Sequence, residues 1–149
     1  MKINLHGLEA TSHQLDCCGL VILNGNLDVA SAGAVDAQVN YLKDQGLSHL
    51  LFDCAALEFV DTTGFRSLIK AHQAFAGGVA LIAPQKGTGQ LVKIMGLGRQ
   101  LPDFATVGLA QEHLHNGRED VSRLDQRVLD SGADQMRTKP DFEDDETNS

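Results

Sequence analysis

The spacing of apolar residues divides the chain into short strands alternating with helices. Residues 20–23, Leu-Val-Ile-Leu, form an unbroken apolar run of the kind that fills a central strand covered on both faces. Residues 49–53 and 79–82 repeat that pattern. Residues 2–8 alternate more loosely and predict an edge strand, and residues 104–107 predict a short last strand. Between these runs the period changes. Val35, Val39 and Leu42 recur at helical spacing within residues 31–43, and Gly46 is a stop signal. Phe65, Leu68, Ile69, His72 and Phe75 mark one side of a helix over residues 64–76, which Gly77-Gly78 ends. Leu91, Ile94 and Met95 predict a shorter helix over residues 89–95, and residues 109–114 predict a helical turn or two. Asn24-Gly25-Asn26 reads as turn chemistry.

This alternation with short connections indicates an α/β layer. Two strands before the first helix imply a hairpin start, and so a mixed sheet. After His115 the composition changes. Residues 118–136 are charged, with Val121, Leu124 and Val128 as a thin apolar stripe, which predicts a helical extension over residues 116–137. Residues 138–149 set Asp141, Glu143, Asp144, Asp145 and Glu146 against Lys139 alone and have no periodicity, the signature of a disordered acidic tail. The folded domain is therefore expected to occupy residues 1–115.

Charge and composition remove several function classes. The 149 residues carry 12 Lys+Arg against 20 Asp+Glu, a formal net charge of -8. A nucleic-acid binder needs a basic face, and an anionic membrane surface attracts basic segments. No run approaches the roughly 18 apolar residues of a membrane span, and no basic-then-apolar leader opens the sequence. Cys17, Cys18 and Cys54 form no C-x-x-C pair, which fits a reduced, cytoplasmic setting. Cys17 and Cys18 could bind a metal, but no third ligand sits at a fitting spacing. They are expected to pack near the entry to a strand, with no metal site and no cofactor. His72, on an apolar helical side, is expected to be a satisfied core or boundary histidine. His113 and His115 read as surface residues. Gly87-Thr88-Gly89 follows a strand but lacks the third glycine of a dinucleotide loop, so it reads as a helix entry. No acid, base and nucleophile converge in any recognisable pattern, so an enzyme is not expected.

The stretch Leu57-Glu58-Phe59-Val60-Asp61-Thr62-Thr63-Gly64-Phe65 carries the most chemistry. An acid, two hydroxyl residues and a glycine lie where the strand gives way to a helix. Thr62 and Thr63 then sit at a helix N-terminus, where unpaired N–H groups and the positive end of the dipole accommodate a phosphate. Asp61, Thr62 or Thr63 could equally be an ordinary N-cap, and a capping residue can also accept a phosphate.

Taken together, several segments resemble the STAS domain. They are Gly25-Asn26-Leu27-Asp28 before a helix, the strand ending at Asp53 followed by the stretch through Gly64, and Gly78-Val79-Ala80-Leu81 followed by a helix and Met95-Gly96-Leu97. The resemblance covers roughly residues 1–115. It implies a single-domain α/β fold with a mixed four- to five-stranded sheet and helices mainly on one face. Stand-alone members of this kind are bacterial anti-sigma factor antagonists. They are phosphorylated on the hydroxyl after the Asp by a partner that is both anti-sigma factor and serine/threonine kinase, and a phosphatase resets them. Carried onto this sequence, the resemblance implies Thr62 as acceptor, with Thr63 the alternative, and Asp28, Asp61, Thr62, Thr63 and Gly64 as the partner surface. Position 62 is Thr where most antagonists carry Ser. The other role the resemblance implies is a non-catalytic subunit of a transporter complex, such as a lipid ABC transporter, or a signalling scaffold. The oligomeric state stays open.

Overall fold

The computed structural model describes residues 1–76 and 78–115. The chain divides into two units, Met1–Glu112 and His113–Ser149. In the second unit the described residues are 113–115, which are helical. The helix expected over 116–137 and the tail expected over 138–149 lie outside the described residues.

Among the described residues six strands form one mixed sheet in which neighbours in space are neighbours in sequence. Strands β1 (Lys2–Leu5), β2 (Leu8–Leu15) and β3 (Cys18–Leu27) make an antiparallel meander. The turn between β1 and β2 places His6 at φ 45° and Gly7 at φ 86°, the two successive positive values of a type I′ hairpin turn. Strands β4 (His49–Val60), β5 (Val79–Ile82) and β6 (Asp103–Phe104) then add in parallel. Each parallel step needs a crossover, which α1 (Ala32–Asp44), α2 (Thr62–Ala74) and α3 (Lys86–Ile94) supply in turn.

The three helices feed one apolar cluster. Val35, Val39 and Leu42 of α1, Phe65, Leu68 and Ala71 of α2, and Val92 of α3 meet Val21, Leu23, Leu50, Phe52, Leu57, Val79 and Leu81 of the central strands. Helices α1, α2 and α3 therefore cover one face, in line with the expectation of helices mainly on one face. Strand alternation points Leu20, Leu51, Ala80 and Ile82 to the opposite face, and they are buried too. That is why β3, β4 and β5 begin as continuous apolar runs rather than alternating ones.

The sheet has six strands where four or five were expected, because β2 was not legible. Its inward positions include Ala10 and Ser12, small or polar residues that leave only a faint alternation. The strand is fastened from α1 instead. Buried Gln38 donates from Nε2 to the carbonyls of Met1 at 3.0 Å and Ala10 at 2.8 Å. The expected turn at Asn24-Gly25-Asn26 is also corrected, since these residues belong to β3 and the register to β4 shifts on either side of Asn24-Gly25. Gly25 takes φ 117° and lies against the Gly7 carbonyl, so a turn-forming composition here serves a bulged strand. Helix α3 begins three residues before the expected start, β6 is shorter than expected, and residues 107–115 are helical. His72 is not satisfied as expected, because its Nδ1 is buried without a hydrogen-bond partner.

Cys54 is fully buried on the inner face of β4, where its Sγ lies 3.6 Å from the Phe52 carbonyl oxygen. Burial, aided by the negative charge of Asp53, pushes its thiol from 9.0 up to about 12. The thiol ionises in the unfolded chain near 9 but stays protonated in the folded one, so the native state holds one proton more between these values. Stability is then intact below pH 9 and falls by about 1.4 kcal/mol per pH unit above it. Urea titrations from pH 8 to 11 should show this slope, and Cys54→Ala should flatten it relative to the parent.

Candidate functional site

Strand β4 outlasts its apolar run and carries the chain to Val60, paired to β3 through Asn26↔Phe59 and Leu27↔Val60. The Asp61 N–H donates to the Leu27 carbonyl at 3.1 Å. Asp61 is then the N-cap of α2, extended at φ -97° and ψ 178°, and its Oδ1 accepts from the Gly64 N–H at 2.6 Å. The first helical bond runs from the Phe65 N–H to the Asp61 carbonyl at 2.8 Å. Thr62 and Thr63 occupy the first two helical positions, where backbone N–H groups have no intrahelical acceptor. Both threonines are exposed. Asp61 thus takes the capping role that the sequence left open among three residues.

Gly64 is buried against the end of β3. A Cβ there would collide with the Leu27 carbonyl oxygen and come within 2.8 Å of its carbon and of Leu27 Cγ. The glycine lets the first turn of α2 sit directly on the backbone of β3. Its local role is this close approach.

Asp28 follows Leu27 at once. Its Oδ1 accepts from the N–H groups of Ala30 at 3.0 Å and Ser31 at 3.1 Å, and Ser31 Oγ accepts from the Asp28 N–H at 3.0 Å. The Ser31 hydroxyl donates to the Asn26 carbonyl at 2.7 Å. This turn leads into α1, whose N-cap is Ser31; the Asp28 carboxylate orders the turn before the helix, whereas Asp61 caps α2 itself. The register places Asp28, Asp61, Thr62, Thr63 and Gly64 together at the C-terminal end of the parallel strands, where crevice sites of open α/β sheets form.

Two apolar side chains at this end were not singled out in the sequence. Val29 is 72% exposed and Phe59 is 53% exposed. The signal was available for Phe59, which precedes Asp61 by two residues and breaks the polar side of its strand. Val29 offered no such signal.

A mixed sheet with α1, α2 and α3 on one face, and a pair of exposed threonines opening α2 at the C-terminal end of the parallel strands, define a small α/β domain. The STAS domain profile matches residues 9–110, and the chain belongs to that family. Solved structures share the fold. An anti-sigma factor antagonist from Mycobacterium paratuberculosis is 19% identical, with TM-score 0.66, over 72% of this chain and 94% of that one. A putative anti-sigma factor antagonist from Thermotoga maritima is 16% identical, with TM-score 0.62, over 71% and 94%. The anti-sigma factor antagonist SpoIIAA in its unphosphorylated form is 18% identical, with TM-score 0.62, over 72% and 96%. A search of curated proteins returns no significant match. Among the described residues no helix is long and apolar enough to cross a membrane.

Proposed function

We propose that this chain is a regulatory protein-binding module of the anti-sigma factor antagonist type, and that phosphorylation of Thr62 switches its docking. The observation that carries the reading is exposed Thr62 at the first position of α2, at the same end of the parallel strands as the Asp28 turn and exposed Phe59 and Val29. An exposed aromatic at the same strand end as an exposed threonine offers a partner an apolar anchor on the surface that charge can block.

A phosphate adds roughly -1.5 to -2 charge. The free N–H groups and dipole of α2 stabilise part of it, and Arg66, one turn on, lies on the same side of the helix. Asp61 and the nearby Asp28 oppose it. Both acids are already engaged by backbone donors, so the local fold has no need to rearrange. The dianion acts on the partner instead, through desolvation and like-charge repulsion within the interface.

The partner proposed is an anti-sigma factor with serine/threonine kinase activity, reset by a phosphatase, in the cytoplasm. Incubating the purified chain with its kinase and ATP should place one phosphate on the parent and none on Thr62→Ala. Incorporation that persists in Thr62→Ala and maps to Thr63 moves the switch by one residue. No incorporation in the parent, with capture of a transporter ATPase subunit, assigns the domain to a transporter complex.

A further inference from the structure

At the far end of the same strands, three soft or borderline metal ligands converge. Cys17 lies in the tight turn between β2 and β3, Cys18 opens β3, and His49 opens β4. Parallel pairing puts Cys18 directly beside His49. The Ser48 N–H donates to the Cys17 carbonyl at 3.0 Å and ties the turn to the start of β4. Adjacent residues of a strand point to opposite faces, but Cys17 lies in the turn, after Asp16 at φ 55°, and is freed from that rule. The ligating atoms of Cys17, Cys18 and His49 all lie within 4.8 Å of one another. The separation of 31 positions between Cys18 and His49 hid this set from any reading of local spacing.

We propose that Cys17, Cys18 and His49 form a binding site for a thiophilic divalent cation, with zinc the best fit. Zinc takes Cys sulfur at about 2.3 Å and His nitrogen at about 2.0–2.1 Å in a tetrahedron, so its ligand atoms stand roughly 3.5–3.8 Å apart. Closing this set onto an ion takes at most about an ångström of side-chain movement. Two thiolates and a neutral imidazole around a dication give a site with no net charge, which suits its position. Cys18 and His49 are buried at 4% and 6% exposure, while exposed Cys17 leaves an entry path.

Supporting contacts surround the trio. The His49 ring lies against Gly78, where an added Cβ would come within 2.7 Å of its Cδ2. Gln111 lies beside Cys18 and favours its thiolate. In the metal-free protein, burial and the neighbouring Cys17 and Asp16 charges keep the Cys18 thiol above its ordinary value. Binding forms two sulfur–metal bonds and sends two thiol protons to the buffer, so the cation supplies the positive charge the pocket lacks. Three protein ligands leave the fourth corner to water, the arrangement of an exchangeable ion rather than a sealed structural one. The bound ion would staple the β2–β3 turn to β4 at the end of the sheet opposite Thr62.

Cobalt reports this geometry. The full chain, reduced and stripped of metal, is titrated with Co²⁺ alone and then with Zn²⁺ as competitor. The expected result is one equivalent bound, with a thiolate-to-cobalt charge-transfer band and the intense visible bands of a tetrahedral ion, all erased by zinc. Loss of an outer-shell partner already costs about 10- to 100-fold in metal affinity, so Cys17→Ser, Cys18→Ser and His49→Gln should each cost at least that. His6→Asn, at the other turn of the meander, should change nothing. Cys17→Ser keeps the reading decisive, because its exposed side chain is not needed for folding. A cobalt complex without the charge-transfer band, affinity unchanged in Cys17→Ser, or a Cys17–Cys18 disulfide persisting under reducing conditions would each overturn the site.

Discussion

Gly64→Ala is expected to lower the unfolding free energy by about 3 kcal/mol or more, a large share of the roughly 5–15 kcal/mol that a domain possesses. The new methyl's tightest contact is with the Leu27 backbone carbonyl, and it also meets Leu27 Cγ, a branch point held in the core that cannot simply swing away. The Leu27 carbonyl it strikes also accepts the Asp61 N–H, so relief by moving that carbonyl sacrifices a bond at the strand–helix junction. Backing α2 away instead withdraws Phe65 and Leu68 from the core and strains the bond from the Gly64 N–H to Asp61. Gly89→Ala is the matched control. It also lies in a helix, but nothing lies within 4 Å of its added Cβ, so it should stabilise by about 0.5–1 kcal/mol. Guanidinium titrations of the pair measure both changes. A Gly64→Ala midpoint equal to that of the parent would show that the junction is looser than the contacts describe.

Thr62→Glu is expected to weaken binding of the partner by more than about 100-fold while leaving the melting temperature within a degree or two. Tenfold in affinity is about 1.4 kcal/mol, and like charge set into a matched interface costs several kcal/mol. The fold should be indifferent, because Thr62 is exposed and a carboxylate in the first turn of a helix is favourable. Thr62→Ser should bind as the parent does. Phe59→Ala should lose about tenfold or more if the exposed ring is the apolar anchor, again without loss of stability. Calorimetry with the purified partner separates these effects. Equal affinity for Thr62→Glu and the parent would remove position 62 from the interface, whatever its phosphorylation state.

The sequence announced elements where one physical signal was strong, and missed them where two signals competed. The central strands were legible because both of their faces are covered, so apolar residues run without interruption at residues 20–23, 49–53 and 79–82. Helices α1 and α2 were legible because each buries a single stripe. Strand β2 was not, since its inward line passes through Ala10 and Ser12, and the bond that secures it comes from Gln38 on a distant helix. The second half of β4 was hidden for a related reason. Ala55-Ala56-Leu57-Glu58 has ordinary helical propensity, and only pairing with Asn24 to Leu27 makes it extended.

The same division runs through the two sites. The order of Asp61, Thr62, Thr63 and Gly64 by itself fixed a helix start with exposed hydroxyls, because capping and dipole are local properties of a few consecutive residues. What lies under that turn, and why position 64 holds glycine, was decided by the approach of α2 to Leu27, which no local pattern encodes. The meeting of Cys17 and Cys18 with His49 belongs wholly to the tertiary structure. Parallel strands must be joined by a crossover of a dozen or more residues, so their neighbours are always distant in sequence. The helix that makes that crossover here both separates the ligands along the chain and brings them together in space.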